Sequence, residues 1–303
     1  MVIDMHAHIA FHELYHPFFI TGVQEEAFDV IGKSDIGLLN PVILNKIIKK
    51  RLDDQNCNEL LAQMELAGIS KTVLLIADWG YGLDESKLSL EYLYGYYHGI
   101  LTKNPDKFIV FAGADPRRGD EGLHLFERGI VNYKFKGLKL YPPCGYELND
   151  KRLYPYYELC GQYNIPVLTH TGPSLSSMKI EREYPSSICE VASQFSDVRF
   201  VLGHAAFQNF DVNLSIARKF KNVFLESSGF QKECHNEYFI KKSLVSLFRH
   251  VPNQVLFGTD WPMFNMMGTQ KKWVDYFKDL NVMKDSYLEL FFYKNAQEVL
   301  NLR

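Results

Sequence analysis

His6 and His8 stand one residue apart at the end of an apolar run that begins with Val2 and Ile3. Alternate side chains of a strand share a face, so the two imidazoles point the same way and can grip one metal ion from one side. Three later apolar runs also end in a potential ligand: Pro166 to His170, Arg199 to His204 and Gln254 to Asp260. Histidine nitrogens with a carboxylate oxygen make a donor set that catalytic zinc sites use, with one position left for water. Such an ion lowers the pKa of its water toward about 7 and makes hydroxide available at neutral pH. A lone His-x-His is a weak signal, but its repetition as ligands at four strand ends is specific. His12, His16, His98, His124, His235 and His250 fall in loops or helical patterns and carry no such signal.

The elements that must carry these residues follow from the hydrophobic pattern. Apolar runs at residues 2–7, 71–77, 108–114, 136–141, 166–170, 199–204, 222–226 and 254–260 read as strands. They alternate with helical patterns at residues 53–68, 89–103, 121–131, 152–163, 187–195, 213–220 and 238–250. Continuous rather than alternating apolarity marks parallel strands covered on both faces. Eight such units in 303 residues predict a single (β/α)8 barrel domain over residues 1–303, with extra C-terminal helices near 269–279 and 284–301. The competitor, an open doubly wound sheet, lacks a Gly-rich phosphate loop after the first strand. Residues 9–52 interrupt the alternation; they hold Phe11, Tyr15, Phe18, Phe19, Gly22, Gly32 and Gly37 and an amphipathic piece near Val42–Arg51. They are expected to form an insertion on the histidine side, distorting the barrel and serving as a lid.

Composition excludes several classes of function. The chain is 47% hydrophobic and 14% aromatic, which supplies a large core, and its net charge is −3 from 33 basic and 36 acidic residues. Charges are mixed, so neither a nucleic-acid nor a membrane-surface partner is expected, and a small molecule is the expected ligand. Five cysteines without a C-x-x-C pair, and a start with neither a signal peptide nor a membrane span, imply a reduced, cytoplasmic setting.

Barrel sites lie at the C-terminal ends of the strands, and His6, His8, Lys139, His170, His204 and Asp260 all fall there. Lys139 has three readings: a carboxylated lysine bridging a second metal, an ammonium for a substrate carboxylate, or a structural partner of Asp4 or Glu226. Trp79, Arg117 and Glu226 are weaker candidates for substrate contacts, with a solvated turn the competing reading for Arg117 and support of the ligands that for Glu226. His204 can instead be a satisfied core histidine, and Asp260 a helix cap.

Asp4-Met-His6-Ala-His8, Thr169-His170-Thr-Gly172, Leu202-Gly-His204 and Phe257-Gly-Thr-Asp260-Trp-Pro262 resemble the amidohydrolase superfamily. They are most similar to its branch that includes aminocarboxymuconate-semialdehyde decarboxylase, as is Lys294-Asn-Ala296 near the end. The resemblance implies one divalent metal, usually zinc, held by His6, His8, His170 and Asp260, with His204 beside the metal's water and Asp260 carrying its proton. Barrels of this branch often pair, which makes a homodimer possible and leaves the oligomeric state open. Three functions stay open. Hydrolysis of a small carboxylate-bearing ester, lactone or amide is preferred, since no clear aromatic-acid pocket is legible. Non-oxidative decarboxylation by the same residues is the alternative, and a non-catalytic binding protein the third.

Overall fold

A computed structural model describes residues 1–17, 19–22, 25, 41–81, 88–172, 187–265 and 267–302. Eight parallel strands follow one another in chain order around one sheet: Val2–Ala7 (β1), Ile69–Leu75 (β2), Phe108–Ala114 (β3), Leu138–Leu140 (β4), Val167–His170 (β5), Phe200–Gly203 (β6), Val223–Glu226 (β7) and Val255–Leu256 (β8). The sheet curls into a (β/α)8 barrel. Its last seam is a set of backbone hydrogen bonds rather than a full ladder. Met5 N–H donates to the Phe257 carbonyl at 2.9 Å, Asp260 N–H to that of His6 at 2.8 Å and His8 N–H to that of Trp261 at 2.7 Å. β8 is shorter than the apolar run predicts, ending at Leu256, and at Gly258 just beyond it any Cβ would strike the Glu226 carboxylate.

The barrel interior is packed from every side by Ile3, Met5, Val73, Leu75, Ile109, Phe111, Leu168, Val201, Phe224 and Leu256. Ala296, Val299 and Leu300 of the last helix plug its lower end. Burial of each large apolar side chain contributes about 1.5–3 kcal/mol. The helices end where local chemistry stops them. Gly68, at φ +69°, caps Asn58–Ala67, and the Ser89 side chain accepts from Tyr92 N–H at the start of Leu90–Lys103. The pattern at 284–301 is not one helix. It splits into Asp285–Glu289, a π turn at Leu290–Lys294 and Asn295–Val299. Phe291 and Phe292 of the wider turn are both buried in the core.

The 9–52 insertion is seen in part. His12–Leu14 forms a 3-10 turn and Pro41–Arg51 a helix, and Phe11, Leu14, Tyr15 and Phe19 are buried. Phe18 and residues 23–24 and 26–40, on which most of the expected lid falls, lie outside the described residues. Among the described residues no helix is long and apolar enough to cross a membrane, and no disulfide joins the cysteines.

Candidate metal centre and its surroundings

Strict alternation along β1 would not deliver His6 to the barrel axis. Ile3 and Met5 face the interior, so His6 would point outward with Asp4. The pairing register with β2 shifts between Asp4 and Ala7, and beyond the shift the His6 ring reaches the axis. Asp4 stays outside, accepting from Thr259 Oγ1 at 2.5 Å and Gln270 Nε2 at 3.0 Å, so it is not the partner of Lys139. Burial pushes its carboxyl up to about 7 against these hydrogen bonds.

The protons on β1's histidines are fixed by what lies behind them. His8 Nδ1 is 2.9 Å from the Leu75 carbonyl, which can only accept, so Nδ1 carries a hydrogen and Nε2 is the atom turned to the cluster. His6 Nδ1 is 2.8 Å from Glu226 Oε2 and is fixed likewise. Both Nε2 atoms lie 3.5 Å from Asp260 Oδ1. Two imidazole nitrogens and one carboxylate oxygen thus converge. His6, His8 and Asp260 form one of two triads among the described residues whose donor atoms lie within 4.8 Å of one another; His6, His204 and Glu226 form the other.

The expected fourth ligand, His170, enters neither triad. Its Nδ1 is 3.2 Å from His204 Nε2, and the two rings lie 4.7 Å apart. His204 in turn lies 4.7 Å from the His6 ring. His204 and Asp260 follow β6 and the β8 segment with φ of +68° and +53°, a backbone region that costs a residue with a Cβ of order 1 kcal/mol or more and that clusters at functional sites.

Burial, then the charge of Lys139, holds His6 well below the ordinary histidine range, and burial lowers His204. Burial works against ionisation of Asp260, but His6, the hydrogen bond of His8 and the charge of His204 outweigh it, so its carboxyl lies well below the usual range. Burial raises Glu226, opposed by the charge of His204 and by hydrogen bonds from Ser228 and His204.

The weaker candidates separate. Lys139 is buried on β4 and faces the cluster, where burial lowers its ammonium to about 8 against the charges of Asp260 and Glu226. Its Nζ makes no ion pair within 4.0 Å among the described residues. Arg117 lies in the turn Pro116–Arg118 and is about a quarter exposed. Its guanidinium closes on Asp115, at 2.8 and 2.5 Å, and on the Cys144 carbonyl at 2.8 Å. Glu226 is fully buried behind His6, with its Oε2 2.8 Å from His6 Nδ1. Trp79 packs in a line of rings: Phe19 to Trp79 at 4.6 Å, Trp79 to Tyr141 at 4.5 Å, and Tyr141 to His170 at 4.6 Å. Sequence reasoning missed Ser228, whose hydroxyl donates to Glu226 Oε2 at 2.6 Å from the turn after β7; its place two residues past Glu226 was the available signal.

The chain matches a family model described as Amidohydrolase over residues 3–302. No curated protein matches it in sequence. Among solved structures, it is similar to an uncharacterized TIM-barrel protein from Bordetella bronchiseptica, at 19% identity and a TM-score of 0.68, covering 99% of this chain and 98% of that one. It is similar to 5-carboxyvanillate decarboxylase from Novosphingobium aromaticivorans, complexed with manganese and 4-hydroxy-3-methoxy-5-nitrobenzoic acid, at 17% identity and a TM-score of 0.69, covering 100% and 96%. It is also similar to 2,6-dihydroxybenzoate decarboxylase from Rhizobium, at 15% identity and a TM-score of 0.66, covering 99% and 98%. At these identities the likeness is one of fold.

Proposed function

The chain belongs to the amidohydrolase family, and from that premise we propose that it is a metal-dependent, non-oxidative decarboxylase of a small ring-bearing carboxylic acid, acting as one domain over residues 1–303. The observation that carries this reading is the aromatic wall of Phe19, Trp79, Tyr141 and His170, which leads down to the histidines. A planar acid slides against such a wall with its carboxyl-bearing carbon toward the cluster. The decarboxylases of the same fold lend support, since their names give carboxylated aromatics as substrates. The wall is built from four separate segments, which is why no aromatic-acid pocket is legible in the sequence and hydrolysis is preferred there.

His6, His8 and Asp260 would hold one divalent ion, with His170 the candidate for a further position beside them. Imidazole and carboxylate donors suit zinc, and the Novosphingobium decarboxylase carries manganese. When bound, the ion supplies positive charge that fixes the anionic oxygens of the substrate and draws electron density from its ring. A second ion on a carboxylated Lys139 would need a donor set of its own, and the other triad, His6, His204 and Glu226, shares His6 with the first.

The remaining work falls to the chain's own groups. Decarboxylation breaks the bond from ring carbon to carboxyl, leaves the electron pair on carbon and replaces carbon dioxide by a proton, with no oxidant. His204, neutral at rest, takes up a proton at Nε2 and delivers it to that carbon. Asp260 stays ionised and balances the imidazolium. Lys139 meets an anionic oxygen of the substrate, since Arg117 and Arg118 are closed on Asp115 and Asp78. The wall and the buried strand ends exclude water, which strengthens each of these electrostatic contacts.

Hydrolysis of an ester, lactone or amide is the second reading, favoured by the ionised Asp260, which can serve as a base. Protein loaded with zinc or manganese, given hydroxybenzoic acids in one panel and lactones and amides in another, separates the two. The expected result is one carbon dioxide released per acid consumed. Turnover of lactones or amides without carbon dioxide would establish hydrolysis instead.

A further inference from the structure

His204 lies against Ser228 on the side away from the substrate wall. Its Nδ1 is 2.9 Å from Ser228 Oγ and 3.3 Å from the Ser228 carbonyl. The carbonyl can only accept. The Ser228 hydroxyl spends its single hydrogen on Glu226 Oε2, at 2.6 Å, so toward His204 it can only accept as well. Both neighbours therefore require a hydrogen on His204 Nδ1, and Nε2 is left as the atom that exchanges a proton. Glu226 accepts in addition from His6 Nδ1, from the His204 N–H at 3.2 Å and from the Ser228 N–H, and it is fully buried. One carboxylate thus stands directly behind the imidazole of β1 and, through a hydroxyl, behind that of His204.

We propose that Ser228 is a positioning residue, the link of a Glu226–Ser228–His204 relay that holds His204 as its Nδ1–H tautomer and places a buried negative charge behind it. The relay moves no proton along its length. When His204 gains a proton at Nε2, its Nδ1–H continues to donate to the Ser228 oxygen, and the Ser228 hydroxyl remains directed at Glu226, whose charge answers the imidazolium. Without the hydroxyl, the tautomer keeps only the longer contact to the carbonyl and the imidazolium loses its connection to Glu226. Gly229, at φ +88°, lets the chain turn immediately after Ser228, and a Cβ there would stand 3.5 Å from His204 Nδ1. The inference rests on the assignment of His204 as the proton-handling group.

The test has a spectroscopic and a kinetic arm. In the full-length, zinc-loaded chain with ¹⁵N-labelled histidine, assigned by comparison with His204→Gln, His204 is expected to show a protonated Nδ1 and a bare Nε2. Ser228→Ala is expected to lower kcat about 10- to 100-fold, to leave KM within about twofold and to keep the wild-type metal content. Ser228→Thr, which retains a hydroxyl, is expected to recover most of kcat. A hydrogen on Nε2 in the wild-type protein would overturn the relay, as would full activity of Ser228→Ala or a loss matched by loss of metal. The nitrogen spectrum does not depend on which reaction occurs. A chain that releases no carbon dioxide yet shows the expected tautomer contradicts the proposed reaction and not the relay.

Discussion

Two regions at the mouth of the barrel pair acids with bases in opposite ways. At the rim after β2 and β3, Asp78 and Asp115 are buried, and each is closed by an arginine that is about a quarter exposed, Arg118 at 2.6 Å and Arg117 at 2.5 Å. Every charge there has its counter-charge, and the geometry is bidentate. At the centre, Asp260 and Glu226 face imidazoles whose burial keeps them neutral, while the Lys139 ammonium faces both acids from a distance. The rim is complete without a ligand. The centre becomes electrostatically balanced when a cation and an anionic substrate arrive, and two of its residues, His204 and Asp260, stand in left-handed backbone that other contacts must sustain. The contrast separates residues that support the mouth from residues that act in it.

Substitution at the centre should be far more damaging to function than at the rim. The largest effect is expected for Asp260→Asn. It should retain the fold by circular dichroism and lose about 10³-fold or more in turnover, because both charge balance and a proposed ligand go. An activity within tenfold of wild type would break the comparison.

Lys139→Met should show the next largest effect, on stability in chelator-treated protein. The folded-state pKa of Lys139, about 8, lies below the ordinary 10.5. Between these values the unfolded chain binds more protons than the native one, so the wild type gains stability as pH rises from 8 to 10.5. The gap corresponds to at most about 3 kcal/mol. Lys139→Met should therefore be the more stable protein at pH 7, and its advantage should vanish above pH 10.5. Denaturant melts at several pH values measure this, and parallel curves for the two proteins would contradict it.

Glu226→Gln keeps the shape but removes the charge behind His6. It should weaken metal affinity about 10- to 100-fold, measured by competition with a chelating dye. Unchanged affinity would make Glu226 a packing residue. The smallest effect is expected at the rim. Arg118→Lys should lower stability by about 1 kcal/mol, since one point charge replaces a fork on a partly exposed pair. Its turnover should stay within about twofold of wild type, and a large loss would move the rim into the working part of the mouth.

The barrel was legible because eight apolar runs in order, each too continuous for a half-exposed sheet, leave few alternatives. The strand-end residues His6, His8, His204 and Asp260 were visible for the same reason, since a ligand closing an apolar run is placed by the run itself. What escaped depends on departures from regular geometry. The register shift between Asp4 and Ala7 decides that His6 and not Asp4 reaches the axis, and alternation alone gives the opposite. The closure of Arg117 on Asp115 depends on a turn, and the wall of Phe19, Trp79 and Tyr141 depends on side chains from three separate segments. None of these has a period that a single sequence displays.

The central claim is that the ends of β1 and the β8 segment hold one divalent ion between His6, His8 and Asp260. Metal analysis of the purified chain, with titration of zinc and manganese into chelator-treated wild type and His8→Ala, tests it directly. The account predicts about one equivalent bound by the wild type and its loss in His8→Ala. A folded wild type that takes up neither ion, or a His8→Ala protein that binds as tightly as wild type, would contradict it.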